Sequence, residues 1–193
     1  SGSASLQLEK EAMYNLAGRC FIKEVPPLSL KEYFELKHKV KISNYQLYKS
    51  DLKRELEGWL KKPFPEIVSF KEERRVYEYI KETIISKILK IDLPDIFDSI
   101  NIKLLETLLN IFYSEPGMIL NIDALSRDLK VHKKTLEQHI FFLEFSKLIR
   151  IVKNYRVSVL AESRKLRKVY PYHISLVFPF NTPERGKILE SVV

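Results

Sequence analysis

The chain has 193 residues, 45% hydrophobic and 30% charged, which is enough for one ordinary globular domain or two small ones and argues against disorder along most of its length. Five Gly and nine Pro against many Leu, Ile, Lys and Glu favour helices over a turn-dense sandwich or barrel, so the expected fold is mainly α. The formal net charge is +8, and the stretch from Arg127 to Lys168, with 12 Lys and Arg against 4 Asp and Glu, carries the whole surplus.

Ser5 to Leu16 places Leu6, Leu8, Met13 and Leu16 at helical spacing with Gly18 as a C-cap, which predicts a helix. From Arg19 to Val25, Cys20 and Ile22 alternate with charged residues until Pro26-Pro27 stops any ladder, which predicts a short strand. Cys20 is the only cysteine, so an intrachain disulfide and a cysteine-rich zinc site are both excluded and a reducing, cytoplasmic setting is expected. No apolar run approaches the roughly 20 residues needed to cross a bilayer, and the first residues lack the layout of a signal peptide. Ser29 and Glu32 form a capping box for a helix through Leu36. Lys37 to Lys62 is polar and aromatic with weak periodicity, and Lys61-Lys62-Pro63-Phe64-Pro65 is a breaker that marks a boundary or hinge. Glu73 to Leu89 sets Val76, Tyr77, Ile80, Ile84 and Ile88 on one stripe of a long amphipathic helix that Pro94 is expected to end.

Asn121 to Leu148 has the pattern of a helix-turn-helix. Ile102, Leu105, Leu108, Leu109 and Phe112 make a preceding amphipathic helix, and Pro116-Gly117 supply a turn before the apolar run Met118 to Leu120. Asn121 can cap a second helix with Leu125 and Leu129 inward, Val131 plugs the turn, and His132 takes the next cap position. A third helix from Lys133 to Leu148 buries Leu136, Ile140 and Leu143 and leaves Lys133, Lys134, Glu137 and Gln138 outward. Leu148 to Leu160 alternates apolar and basic residues around Asn154, which predicts a β-hairpin wing bearing Arg150, Lys153 and Arg156. Helix, helix, helix and wing is the winged-helix pattern.

A basic winged helix offers Lys133, Lys134 and Gln138 to a DNA groove and Arg150, Lys153 and Arg156 to phosphates or the minor groove, so duplex DNA is one expected partner. Winged helices also bind proteins or serve structure alone, and a basic run is also simply a solvated face. His132 and His139, without a third ligand, read as a cap and a surface residue rather than a metal site. Phe141-Phe142 reads as core rather than as a base-stacking platform.

Three further segments carry a resemblance: Ser1-Gly2-Ser3-Ala4-Ser5, Leu16-Ala17-Gly18-Arg19 and Pro27-Leu28-Ser29-Leu30-Lys31-Glu32-Tyr33. In order and spacing they resemble the sensor 1 turn, the Leu-Ala-Gly-Arg element and the Pro-Leu-Ser-Phe-x-Glu-Tyr/Phe element of the archaeal-type AAA-like P-loop ATPase family, with Leu30 in place of the usual Phe. Pro63-Phe64-Pro65-Glu66-Ile67-Val68 resembles the family's Gly-Gly-Phe-Pro-Glu-Val lid element, with Lys62-Pro63 where the glycines would stand. Gly186-Lys187-Ile188-Leu189-Glu190-Ser191-Val192-Val193 resembles the Gly-x-x-Glu-Asn-x-Val opening of its C-terminal nuclease-like domain, Glu190 matching the first acidic residue.

The resemblance implies four parts: a remnant of the ATPase core over 1–45, a helical lid over 46–97, a winged helix-turn-helix over 98–165, and a linker with the start of a nuclease-like domain over 166–193. The chain has no G-x-x-x-x-G-K-S/T, so a fragment unable to hydrolyse ATP alone is expected. It holds no cofactor of its own on this reading, ATP and Mg²⁺ being implied for the parent. Ser1 and Ser3 would then approach the γ-phosphate and Arg19 would respond to nucleotide; equally, Ser-Gly-Ser is what an expression vector leaves behind, and Arg19 can be a helix-end cation. Glu190 lacks the later acidic residues and lysine of a metal-dependent nuclease. A free-standing DNA-binding regulator and a protein-interaction scaffold remain as alternatives.

Overall fold

The computed structural model describes residues 25–153 and 167–192. The expected helix at Ser5 to Leu16, the strand that follows it and the turn at Asn154 lie outside these residues. Helix α1 (Leu30–His38) starts as its capping box dictates, Ser29 Oγ accepting from the Glu32 N–H at 3.3 Å while the Glu32 carboxylate accepts from the Ser29 N–H at 2.8 Å. Helix α2 (Tyr45–Lys61) fills the stretch with weak periodicity; Leu52 is its one buried residue, so no apolar stripe marks it in the sequence. The two helices meet at Gly58, where a Cβ would stand 2.7 Å from the Tyr33 hydroxyl. The α2 helix stops at the predicted breaker, and Pro63 is tied back to the entry of α1 by the Leu28 N–H at 2.8 Å.

Helix α3 is regular over Glu73–Glu78, widens into π-helix over Tyr79–Ser86 and Ile88–Asp92, and ends as α-helix over Leu93–Ile96. Pro94 therefore lies inside the helix rather than ending it. The wide turns also move the buried stripe: Val76 and Ile80 are buried as expected, but the stripe continues through Ile85, Leu89 and Leu93, and Ile84 and Ile88 are only half-buried. A π turn takes up one extra residue, which explains the step of five from Ile80 to Ile85.

The second half has the predicted order. Helix α4 (Ile102–Ser114), strand β1 (Met118–Ile119), helix α5 (Ile122–Leu129), helix α6 (Lys133–Phe145) and strands β2 (Ile149–Lys153) and β3 (Arg167–Pro171) follow one another. Asn121 caps α5 through the Ala124 N–H at 3.0 Å. The α6 helix ends at Phe145, before the expected Leu148, because Lys147 turns the chain with φ 58°. The strands form an antiparallel sheet in the order β1-β3-β2, with Arg150 opposite Tyr170 and Ile151 opposite Val169. The described partner of β2 is Arg167–Pro171, beyond the expected limit at Leu160, and Val169, buried under α4, supplies the inward side chain opposite Ile151. The fold is mainly α with this one small sheet.

The segment expected as a linker packs into the core: Ile174, Leu176 and Val177 of a short 3₁₀ turn (Ile174–Leu176) are buried, and helix α7 (Arg185–Val192) follows. One apolar core runs from Ile67 to Val177, across the division expected near residue 97, while Phe34, Ile42 and Leu52 form a small satellite beneath α1 and α2.

Two α6 residues sit differently from expectation. His139 is 2% exposed, not a surface residue: its Nε2 accepts from the Asn101 N–H at 2.9 Å, which leaves the Nδ1 proton for the Thr135 carbonyl oxygen at 2.7 Å. Helical spacing alone places it at the edge of the buried face, and the bond to the N-cap of α4 draws it inside. Phe142 is core, but its neighbour Phe141 is 51% exposed and touches Phe97 edgewise and Phe145 at a shallow tilt. Replacing His139 by Ala removes the acceptor of the part-buried Asn101 N–H at the start of α4 and leaves a void where the buried imidazole stood, so urea unfolding should show a loss of about 2–3 kcal/mol, with His139→Gln losing less. Equal losses for the two variants would show that the bond to Asn101 contributes nothing.

Candidate nucleic-acid interface

The outward face of α6 follows from its buried one. Leu136, Ile140 and Leu143 face the core, so Lys133, Lys134, Glu137 and Gln138 are exposed on the N-terminal half of the helix. Lys134, Gln138 and Phe141 share one stripe by their spacing of four and three residues, with Lys133 and Glu137 beside them. Two lysines in the first turn oppose the helix dipole, and no acidic residue in that turn offsets them. Lys133 is instead paired with Asp123 of α5, whose carboxyl is held below its usual range by the hydrogen bond from Lys133. Both partners are well exposed, so this pair is weak and screened by salt. His132 occupies the cap position of α6 without capping it through its side chain.

The sheet divides the wing residues between its faces. Along β2, Ile149, Ile151 and Lys153 point one way and Arg150 and Val152 the other, since side chains alternate. Lys153 pairs in register with Arg167, so both continue the core-side face beyond its last apolar residues. Sequence reading passed over Arg167 because it placed the returning strand too early. Arg150 is directed away from that face: its Nη2 donates to the Ser191 carbonyl oxygen of α7 at 2.6 Å and its guanidinium lies 5.8 Å from the Tyr170 ring. Arg156, Ser1, Ser3 and Arg19 lie outside the described residues.

On the outer face, Glu190 accepts from the Tyr170 hydroxyl at 2.6 Å and from Lys168 at 2.7 Å, and the Lys168 hydrogen bond holds its carboxyl below the usual range. Glu190 therefore fastens α7 to β3. Gly117, with φ 83°, passes beneath them; a Cβ there would come within 3.0 Å of the Tyr170 ring. Among the described residues no group of three or more His, Cys, Asp and Glu could hold a metal ion, and no helix is long and apolar enough to cross a membrane.

His173, on the turn below Arg150, is half-buried, and burial, assisted by the Arg150 charge, pushes its imidazole down to about 4. Its Nδ1 accepts from the Ser175 N–H at 3.1 Å. A histidine depressed in the folded state stays neutral while its unfolded counterpart, near pH 6.5, takes up a proton, so its contribution is whole above pH 6.5 and is lost as pH falls towards 4. Urea unfolding at pH 7 and pH 4.5 should show this as about 2 kcal/mol, and His173→Asn, which keeps an acceptor for Ser175, should remove that part of the difference. An identical pH dependence in the two proteins would exclude His173 as its source.

Residues 57–179 match the family described as Domain of unknown function (DUF8612). The matched segment runs from the end of α2 to the turn after β3, so the family unit takes in α3, the helices α4, α5 and α6 and all three strands together. No curated protein and no solved structure matches the chain. With the match covering well over half its length, the chain is a member of this family of unknown function.

Proposed function

We propose that the chain is the lid and winged-helix portion of an AAA-like ATPase, and that its winged helix engages duplex DNA through α6 and the paired strands β2 and β3. The observation that carries the DNA reading is the placement of Lys133, Lys134 and Gln138, exposed on the N-terminal half of α6, together with Lys153 and Arg167 on the core-side face of the hairpin. None of the five is part of the apolar core. In this arrangement α6 enters the major groove by its N-terminal half, and Lys153 and Arg167 lie on flanking phosphates. Asp123 acts as an internal competitor that occupies Lys133 until a phosphate displaces it. The ATPase part rests on the short elements at the two ends of the chain; ATP and Mg²⁺ belong to the parent, in which Ser1, Ser3 and Arg19 approach the nucleotide.

A protein partner is the second reading, favoured by Phe141. It lies three residues beyond Gln138 on the same stripe and is 51% exposed, where a helix leaving the groove meets solvent or a neighbouring protein.

Lys153→Gln should weaken binding to all duplex sequences alike and flatten the slope of log K against log salt by about one unit. Asp123→Asn should tighten binding at low salt by releasing Lys133. A salt slope unchanged by the first variant would remove the wing from the interface, and weaker binding by the second would remove Lys133. For the parent, the upstream reading frame should encode a G-x-x-x-x-G-K-S/T; a genuine initiation codon near residue 1 would overturn the ATPase reading while leaving the DNA reading intact.

A further inference from the structure

A cleft of about 300 Å³ opens where the Pro26-Pro27 approach to α1, the end of α2, β2, the turn after β3 and α7 converge. That is the lower end of the size range of small-molecule sites. One wall is apolar and flat: Pro27 and Trp59, the latter held in place by its indole N–H on the Leu28 carbonyl oxygen at 2.6 Å and meeting the His173 ring edge-on at 5.8 Å.

The other wall carries Arg150. Its Nη2 is committed to Ser191, but its Nε is buried and has no hydrogen-bond partner. Among the described residues no carboxylate lies within ion-pair distance of this guanidinium, and the acidic residue next to Ser191, Glu190, is already engaged by Lys168 and Tyr170. His173 does not supply the missing counter-charge either, since it accepts from Ser175 and is neutral. A half-buried guanidinium whose Nε–H is buried and idle, with no acid beside it, is costly, and such groups are retained where an anion completes them.

We propose that this cleft binds a small oxyanion carried on a flat apolar group, an aryl carboxylate or aryl phosphate, with Arg150 holding the oxyanion and Trp59 and Pro27 covering the ring. The planar guanidinium fork suits both oxyanions, and the aromatic wall excludes a bare hydrated ion. The site is independent of the DNA surface, because Arg150 and Lys153 lie on opposite faces of the sheet.

Trp59 is the only tryptophan, so its indole N–H is a single, unambiguous nuclear magnetic resonance reporter at the cleft. The full chain is titrated with benzoate, phenyl phosphate and the neutral isostere benzamide, following the Trp59 indole N–H and the Arg150 Nε–H. Benzoate or phenyl phosphate should give saturable shifts of both signals, with a dissociation constant of about 0.1–1 mM for so small a ligand, and whichever binds more tightly identifies the oxyanion. Benzamide should bind at least about tenfold more weakly, as should benzoate and phenyl phosphate to Arg150→Gln. Equal shifts with benzamide, no saturable shift with either anion, or undiminished binding by a folded Arg150→Gln would each overturn the proposal. If that variant does not fold, the shift of the Arg150 Nε–H in the unaltered chain decides the matter.

Discussion

Helix α4 is the element on which the rest is built. Leu104, Leu105, Leu108, Leu109, Phe112 and Tyr113 are all buried, so the helix turns a broad apolar face, about half its circumference, into the core. The end of α3 packs on one side of it and α6 and β3 on the other. Each large apolar side chain so enclosed contributes on the order of 1.5–3 kcal/mol relative to exposure, and truncating Phe112 to Ala would cost about 3–5 kcal/mol. Tyr113 adds direction to this packing. Its hydroxyl, fully buried, donates to the Leu148 carbonyl oxygen at 2.9 Å, fixing where the chain leaves α6 and enters β2. Burial alone pushes that phenol well above its ordinary range, so it remains a donor.

Because α4 serves both sides, the helices before it and the sheet after it share one core. The π-wound α3 reaches that core through Ile85, Leu89 and Leu93, residues that a regular helix would have turned away from Val76 and Ile80. The His139 to Asn101 bond ties α6 to the cap of α4. The family match spans both.

Local signals were read correctly where one side chain decides the outcome: the Ser29 and Glu32 capping box, the Asn121 cap and the Lys61 to Pro65 breaker each set an element boundary. Apolar spacing also placed α4, α5 and α6. What escaped depended on distant partners. The exposed α2 helix has no stripe to detect; the π turns shift a stripe that regular geometry fixes elsewhere; and the returning strand is defined by Val169 meeting Ile151 across 13 residues, 154–166. Among the site residues, Lys133, Lys134 and Gln138 are exposed as the helical pattern requires. The pairing of Lys133 with Asp123 and the turning of Arg150 to α7 arise from tertiary packing that no spacing encodes.

The two faces of the sheet thus separate two chemistries, with Lys153 and Arg167 beside the helix face and Arg150 enclosed behind α7. The central claim is that the exposed half of α6 and the core-side wing form a surface for duplex DNA. Backbone amide shift mapping with a short duplex at low salt tests it most directly. The account predicts perturbations concentrated at residues 133–138, 153 and 167, fading as salt is raised. Perturbations centred on Phe141 and Phe97, or none at all, would contradict it.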